Sequence, residues 1–272
     1  MPVKIISNKP YTVSDYWRKL VQSGYLIRVL AKRELKIKYS KTLIGIGWLF
    51  LQPLVVVAVY TVFFKSFIKL NTDDIPYPQF VLSGLVLWYL FTGIISKCVY
   101  ALIESGDLIT KVSFPKIIVL FSKTIPVFIE CFVLLLLAFV IVALTHTGLG
   151  PNAVFVLFYF VQTALLAFGI GMLCSIVVLK FRDLAHAIPF IINFGIWLTP
   201  VFYSVSIVPE SYKSIFRYGN PLALSIEGLR VSLFNNQGLS LVALVLFLCT
   251  LPLFIISCLI FIKFEKKIVE NL

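Results

Sequence analysis

The sequence has little charge for its length. Only 13% of its 272 residues are Asp, Glu, Lys or Arg, whereas charged residues make up about a quarter of an ordinary soluble domain. Apolar residues make up 60% of the chain, and the mean hydropathy is +1.00. This shortage of charge excludes an ordinary soluble domain and predicts an integral membrane protein.

The motifs of a self-sufficient enzyme are also lacking. No G-x-x-x-x-G-K-[ST] phosphate loop occurs, because Gly106 and Lys111 are not accompanied by the second glycine. There is no H-x-x-x-H pair and no nucleophile elbow, and His146 and His186 are expected on opposite sides of the membrane. We therefore expect no catalytic site, no metal site and no cofactor in this chain. Energy for any transport would have to come from a partner.

Five apolar runs are long enough to cross a bilayer, whose hydrocarbon core of about 30 Å needs roughly 20 residues of helix. They are residues 43–64, 79–103, 117–145, 153–179 and 239–262, and a sixth run, 188–204, is at the short end. The pattern predicts an all-α integral membrane fold with a six-span domain over 43–262. A segment 1–42 precedes this domain, and a tail 263–272 follows it.

The net charge of +12 would suggest a nucleic-acid partner if the cations were clustered in a soluble domain. Six crossings instead place most of the 24 Lys and Arg on one side of the membrane, as the positive-inside rule requires. Residues 1–40 are polar and basic and lack the apolar core of a cleavable signal peptide. We therefore expect both termini in the cytoplasm and no nucleic-acid partner.

The N-terminal segment is predicted to contain a basic amphipathic helix. Trp17 belongs to an apolar stripe that begins near Val13. After Ser23-Gly24, cations four residues apart form a second stripe at Arg28, Lys32 and Lys36. Such a helix lies in the membrane interface, where it contacts anionic lipids. The alternative is a solvated charged tail that only enforces orientation.

Residues 104–116 are a short charged interruption between two spans, and they must lie in water. A structured polar loop in this position is a natural docking element for a partner that drives the membrane part. A second polar turn lies at 180–187. The candidate coupling residues are Glu104, Asp107, Leu108, Lys111, Phe114, Pro115, Lys116, Arg182 and Asp183.

Three ionisable residues fall inside predicted spans: Lys97, Lys123 and Glu130. An intramembrane carboxylate is a functional candidate by default. We favour the simpler interpretation, in which Glu130 pairs with Lys97 or Lys123 and joins two helices. Three such groups are too few for an ion relay, so ion-coupled transport is poorly supported.

Residues 205–238 are too charged for a span and too apolar for a free loop. The simplest structure is a pair of short helices, split at Gly219-Asn220-Pro221, that dips back into the outer leaflet.

Trp88 and Tyr89 lie too deep in their span for an interfacial belt, and packing or a pathway lining explains them equally well.

A series of short motifs runs in a definite order along most of the chain. They are Arg33-Glu34-Leu35-Lys36-Ile37-Lys38-Tyr39 with Thr42, Gly45, Trp48 and Gln52-Pro53; Pro76-Tyr77-Pro78; Gly84-Leu85-Val86-Leu87-Trp88; Asp107-Leu108-Ile109 with Lys111 and Phe114-Pro115-Lys116; Arg182-Asp183-Leu184; Pro200-Val201-Phe202-Tyr203 with Val208-Pro209; and Asn220-Pro221 with Arg230. Each motif alone is weak. The ordered set resembles the permeases of type-2 ATP-binding cassette (ABC) exporters for polysaccharide, the O-antigen, capsule and teichoic-acid group.

The resemblance implies a homodimer of six-span subunits around a channel in the bacterial inner membrane. Two copies of a separate cytoplasmic ATPase, which binds ATP and Mg, would drive it. The cargo would be a lipid-linked polysaccharide, with O-antigen preferred over teichoic acid or capsule. The sequence departs from the family at Glu34, where aspartate is usual, and at Gly219.

The resemblance also assigns roles to residues. The N-terminal helix would lie at the membrane interface, the loop 104–116 would contact the ATPase, and 205–238 would form an external gate with Pro209, Asn220, Pro221 and Arg230. Aromatic rings would line the channel for a sliding sugar chain, at Trp48, Trp88, Tyr89, Trp197, Phe202 and Tyr203.

Two other functions stay open. The same fold could export a drug or a small lipid, with the aromatic residues lining a compact pocket. A membrane glycosyltransferase acting on a lipid-linked sugar is less well supported, because the external acidic residues are scattered.

Overall fold

The computed structural model describes residues 13–40, 43–68, 72, 75–145 and 150–270, and these ranges contain helices and no strand. The α-helices are α1 (Val13–Gln22), α2 (Gly24–Tyr39), α3 (Trp48–Tyr60), α4 (Tyr77–Glu104), α5 (Gly106–Lys111), α6 (Ile117–Leu144), α7 (Phe155–Lys180), α8 (Leu184–Leu198), α9 (Glu210–Tyr218), α10 (Pro221–Phe234) and α11 (Leu241–Glu270). Short 3₁₀ turns cover Gly45–Gly47, Pro151–Val154 and Val205–Ile207, and a π-helix covers Thr61–Ile68.

Within the described ranges, five helical stretches are long and apolar enough to cross a membrane, and they correspond to the five long predicted runs. They are Gly45–Phe64, Tyr77–Glu104, Ile117–Leu144, Pro151–Lys180 and Leu241–Glu265. The all-helical membrane architecture is therefore confirmed.

The sixth predicted run differs from the structure in its bounds and length. Its helix, α8, begins at Leu184 and ends at Leu198 instead of covering 188–204. The next residue, Thr199, is extended (φ −113°, ψ 134°), because Pro200 disfavours helical backbone in the residue before it. At about 1.5 Å per residue, 15 residues reach only about 22 Å, so the count of six spans stays a prediction.

Helix α4 is the centre of the bundle, with α6, α7, α8 and α10 packed around it and α11 on the far side of α7. Two apolar clusters fill the interior. One includes Tyr16, Leu102 and Ile109 and lies at the end of the bundle that carries α1, α2 and α5, called the basic end below. The other includes Tyr77 and Leu222 and lies at the opposite end, with α9 and α10.

Helices α3 and α11 expose most of their apolar side chains. Only 17% of the residues in their apolar windows are buried inside the subunit, against 61% for α4. Such exposure would be costly in water, but lipid tails are as apolar as these side chains. The burial pattern fits a central helix surrounded by helices that face lipid or another subunit.

The N-terminal segment forms two helices that break at Ser23, as the sequence predicts. Arg28, Lys32 and Lys36 are exposed on α2, whereas Ala31 is buried. The backbone of Trp17 is in α1, but its side chain lies outside the described residues, as do residues 1–12. Contact with the membrane interface stays a prediction.

The two short helices predicted before the last span are present as α9 and α10. They meet at Gly219 and Asn220, and the Asn220 side chain caps α10 by accepting hydrogen bonds from the backbone N–H groups of Leu222 (3.0 Å) and Ala223 (3.3 Å). Pro221 occupies the first turn of α10. Backbone N–H groups in a first turn have no acceptor within the helix, so the lack of an N–H in proline costs no hydrogen bond there. Re-entry of this pair into the outer leaflet stays a prediction.

Gly228 allows α10 to approach α7 closely, since a β-carbon here would overlap the buried ring of Tyr159. We expect Gly228→Ala to separate the two helices and lower the free energy of unfolding by about 1–3 kcal/mol. Gly24→Ala on α2 is the control, because nothing lies within 4 Å of its added β-carbon and alanine favours a helix. Thermal melting compares the two variants, and equal midpoints would contradict the close packing.

Candidate functional site

The residues between α4 and α6 form a compact turn at the basic end. Ile109 and Phe114 are buried beneath it. The buried Lys116 ammonium donates hydrogen bonds to the carbonyls of Ile109 and Val112, each at 3.1 Å, and lies 4.5 Å from the centre of the Phe114 ring. The Lys116 backbone N–H donates to Glu265 of α11 at 3.0 Å. These contacts fix the conformation of the turn and attach it to two spans.

The outer face of this turn carries exposed charge. The side chain of Asp107 is 99% exposed and that of Lys111 is 76% exposed, and their ion pair, at 4.0 Å, is weakened by water. The predicted coupling residues thus fall into two groups. Asp107 and Lys111 face outward, whereas Phe114, Pro115 and Lys116 are buried and hold the turn, with Leu108 half-buried between them.

Lys123 joins three elements directly below this turn. Its side chain, on α6, is only 8% exposed, and Nζ lies 2.5 Å from Glu104 Oε2 and 3.4 Å from Glu34 Oε1. Glu104 is the last residue of α4, and Glu34 belongs to α2. One buried cation therefore connects the N-terminal helix, the entry to α5 and the third long span.

The second predicted turn lies at the same end of the bundle. Arg182 and Asp183 are exposed between α7 and α8. His186, in the first turn of α8, approaches the Tyr100 hydroxyl on α4 with Nδ1 at 3.4 Å. The structure thus brings both predicted coupling segments to the end of α4.

The prediction that Glu130 pairs with Lys97 or Lys123 was wrong. Its carboxylate accepts hydrogen bonds from Lys38 and from the Tyr39 hydroxyl, the latter at 2.6 Å, while Lys123 pairs with Glu34 and Glu104. Burial, together with the bond to Glu130, raises the pKa of Tyr39, so the hydroxyl stays a donor. Glu130 therefore does join two helices, but the second helix is α2, because the end of α2 reaches the middle of α6.

The predicted channel aromatics have different environments in the subunit. Trp48 is 42% exposed and Trp197 is 55% exposed, whereas Trp88 is 4% exposed and Phe202 is 1% exposed. Phe202 stacks on Tyr60 with ring centroids 4.0 Å apart. The Tyr203 hydroxyl donates to the carbonyl of Trp197 at 2.9 Å.

Arg230 holds the opposite end together from inside. Its guanidinium donates to the carbonyls of Pro200 (2.7 Å), Val201 (2.8 Å) and Phe80 (3.0 Å), and it also stacks on the Phe80 ring at 3.5 Å. Gly84 leaves room for it, since a β-carbon there would lie 2.8 Å from Arg230 Nη2. This predicted gate residue therefore fastens α10 to α4 and to the turn after α8.

Comparison with known proteins decides the family. The sequence pattern described as ABC-2 type transporter matches residues 25–234, which include the turn, Lys123 and Arg230. The chain belongs to the ABC-2 type transporter family. This membership and the apolar helices make it a multi-pass membrane protein.

Individual members of the ABC-2 type transporter family align over most of this chain. It is 26% identical to a protein of Klebsiella pneumoniae named O-antigen export system permease protein RfbA, over 92% of this chain and 96% of the relative. A Myxococcus xanthus protein of the same name is 28% identical over 81% of this chain and 84% of its own length. An Escherichia coli protein named polysialic acid transport protein KpsM is 21% identical over 81% and 87%.

Sequence reasoning missed several contacts of this family member. Glu34, Tyr39 and Glu265 had no predicted partner, yet each pairs with a residue distant in the sequence. The available signal was the placement of Lys123 and Glu130 inside an apolar run, where a charge needs a partner.

Proposed function

We propose that the chain is the channel-forming permease subunit of an ATP-driven exporter that moves a lipid-linked polysaccharide, O-antigen being the first to test, across the inner membrane. The main support for the proposal is that the names of the relatives agree. Proteins that align over more than four-fifths of this chain are named for O-antigen export or polysialic acid transport. The match is nearly end to end for the Klebsiella pneumoniae protein. This alignment with proteins named as permeases supports the proposal that the chain has no catalytic site of its own.

The proposed assembly is a homodimer with two copies of a cytoplasmic ATPase that binds ATP and Mg. The exposed outer face of α5, with Asp107 and Lys111, supports a docking role because the turn behind it is fastened to α4, α6 and α11. A push on this turn would move spans directly. The excess of cations at this end supports placing both termini in the cytoplasm.

The proposed channel surface uses the aromatic residues that the subunit leaves accessible. Trp48 and Trp197 are about half exposed, and Tyr89 is half-buried beside Trp48. Aromatic rings suit a sliding sugar chain because its C–H faces pack on them without one required register. Trp88 and Phe202 would support this surface from behind. Pro209, Asn220, Pro221 and Arg230 would shape the external gate.

Charge reversal on the outer face of the turns tests the proposal. We expect Asp107→Lys with Lys111→Glu, or Asp183→Lys, to reduce surface polysaccharide at least about tenfold in a deletion strain, since one lost charged contact already contributes about 1.5–3 kcal/mol. The protein should stay in the membrane, because these side chains are exposed. Surface polymer is measured by gel electrophoresis of the extracted glycan.

Lys263→Glu is the control for this experiment, since Lys263 is exposed on α11 outside both turns. Unchanged surface polymer in the turn variants would contradict the docking role.

The deletion strain itself separates the alternative functions. Loss of surface glycan supports polysaccharide export, whereas drug sensitivity with normal glycan supports a small-molecule exporter. Sugar transfer by the purified chain alone would support a glycosyltransferase.

A further inference from the structure

A partly open cavity of about 220 Å³ lies where α3, α4 and α6 meet the end of α2, and Lys38, Trp48 and Gln52 in its walls are exposed. Its walls include two cations, one carboxylate and several hydrogen-bonding side chains. The polar and aromatic lining residues are Lys38, Trp48, Gln52, Tyr89, Ser96, Lys97 and Glu130. A cavity with such walls, in a bundle this apolar, needs a polar occupant.

The charges of the cavity do not balance. Glu130 is already compensated, since Lys38 and the Tyr39 hydroxyl both donate to it. Lys97, on α4, makes no hydrogen bond or ion pair with any residue that the structure describes. Because an unpaired ammonium within a span is costly, this excess of one positive charge favours an anionic ligand.

The remaining polar side chains add hydrogen-bond donors around Lys97. The indole N–H of Trp48, the amide of Gln52 and the hydroxyl of Tyr89 have no side-chain hydrogen bond within the described ranges. The one carboxylate in the wall already has two donors of its own. Donors around one cation suit the oxygens of a phosphate, whose charge compensates Lys97, whereas neutral sugar hydroxyls would leave that charge uncompensated.

The size and the position of the cavity restrict the ligand further. Its volume is below the roughly 300–1,000 Å³ of sites that hold drug-sized molecules, so it fits a headgroup and not a chain. Lys38 belongs to the end of α2 that packs on α6, beside the exposed apolar face of α3. A lipid could therefore place its phosphate in the cavity and leave its tails along α3.

We propose that this cavity binds the phosphate group of a lipid, with Lys97 as the principal charge partner and Gln52, Trp48 and Tyr89 as donors. Two lipids share this chemistry: an anionic phospholipid and a polyprenyl diphosphate that carries a glycan. The inference goes beyond the proposed function, since a phospholipid alone satisfies it. It becomes part of substrate recognition if the polyprenyl diphosphate binds more tightly.

Native mass spectrometry of the purified full-length chain tests the proposal. The probes are phosphatidylglycerol, a polyprenyl diphosphate and diacylglycerol, which has no phosphate. We expect both phosphate lipids to bind more tightly than diacylglycerol, and Lys97→Gln to raise the dissociation constant of at least one of them about tenfold or more, as loss of a charged hydrogen bond predicts. Lys97→Arg keeps the charge and should stay close to the unmodified chain.

Lys263→Gln is the matched control, because it removes an exposed cation from α11 away from the cavity. Equal binding of both phosphate lipids to Lys97→Gln and the unmodified chain would overturn the proposal, as would equally tight binding of diacylglycerol. Should Lys97→Gln fail to fold by thermal melting, Gln52→Leu removes an exposed donor from the same wall and should weaken binding. The assay measures no transport, so a negative result would not bear on the proposed export function. The surface-glycan experiment tests that function separately.

Discussion

Replacing Arg230 with leucine is expected to lower the free energy of unfolding by about 2–6 kcal/mol, because two buried carbonyls would lose their donor. The guanidinium is buried and satisfies the carbonyls of Phe80, Pro200 and Val201. Leucine would remove the donor of the Pro200 and Val201 carbonyls, whereas the Phe80 carbonyl would keep its bond from the Ser83 hydroxyl. Each buried unsatisfied group costs about 1–3 kcal/mol. Thermal melting in detergent and the level of folded protein in the membrane measure the effect.

Arg230→Lys provides the control for this prediction. Lysine keeps the charge but lacks the planar fork that reaches several carbonyls at once, so we expect an intermediate loss of stability. Surface polymer should decrease in proportion to folded protein in both variants. If Arg230→Leu instead folds normally and loses only export, the residue acts in the gate and not as a structural fastener.

Replacing Lys123 with leucine is expected to loosen the attachment of α2 and of the end of α4 to α6. Glu34 and Glu104 would lose their shared cation and repel each other. The stability cost should be about 1–3 kcal/mol, reduced by water because the Glu104 side chain is 52% exposed. Surface polymer should decrease at least about tenfold, since the turn would be held less firmly between α4 and α6.

Two measurements separate these effects. Membrane level and melting midpoint report the fold, while surface polymer per folded molecule reports coupling. The double variant Lys123→Glu with Glu104→Lys restores one ion pair and should recover part of the export. Export that tracks only the amount of folded protein in Lys123→Leu would show that the contact is purely structural.

Much of the architecture followed from local patterns. Apolar runs predicted the five candidate spans to within a few residues, because the length needed to cross a bilayer is read directly along the chain. The break between α9 and α10 followed from Gly219, Asn220 and Pro221. The length of α8 did not, since the apolar run continues past Pro200 although the helix stops before it.

The candidate site was predictable only in part. The polar interruption between α4 and α6 marked the turn, because charge between two spans must lie in water. Which of its residues face outward was not predictable: Lys116 has the sequence character of an exposed cation but is buried. Its ammonium reaches back to two carbonyls of the turn, a geometry that depends on how the chain bends after Lys111.

The sequence by itself determined that this protein is a helical membrane protein, where its five long apolar stretches lie, and which family it resembles. Only the tertiary structure decided the pairs: Glu130 with Lys38 and Tyr39, and Lys123 with Glu34 and Glu104. Hydropathy and helical period are properties of neighbouring residues. Pairing across about 90 residues depends on the rotation and tilt of each helix in the bundle, which the packing of the whole core determines.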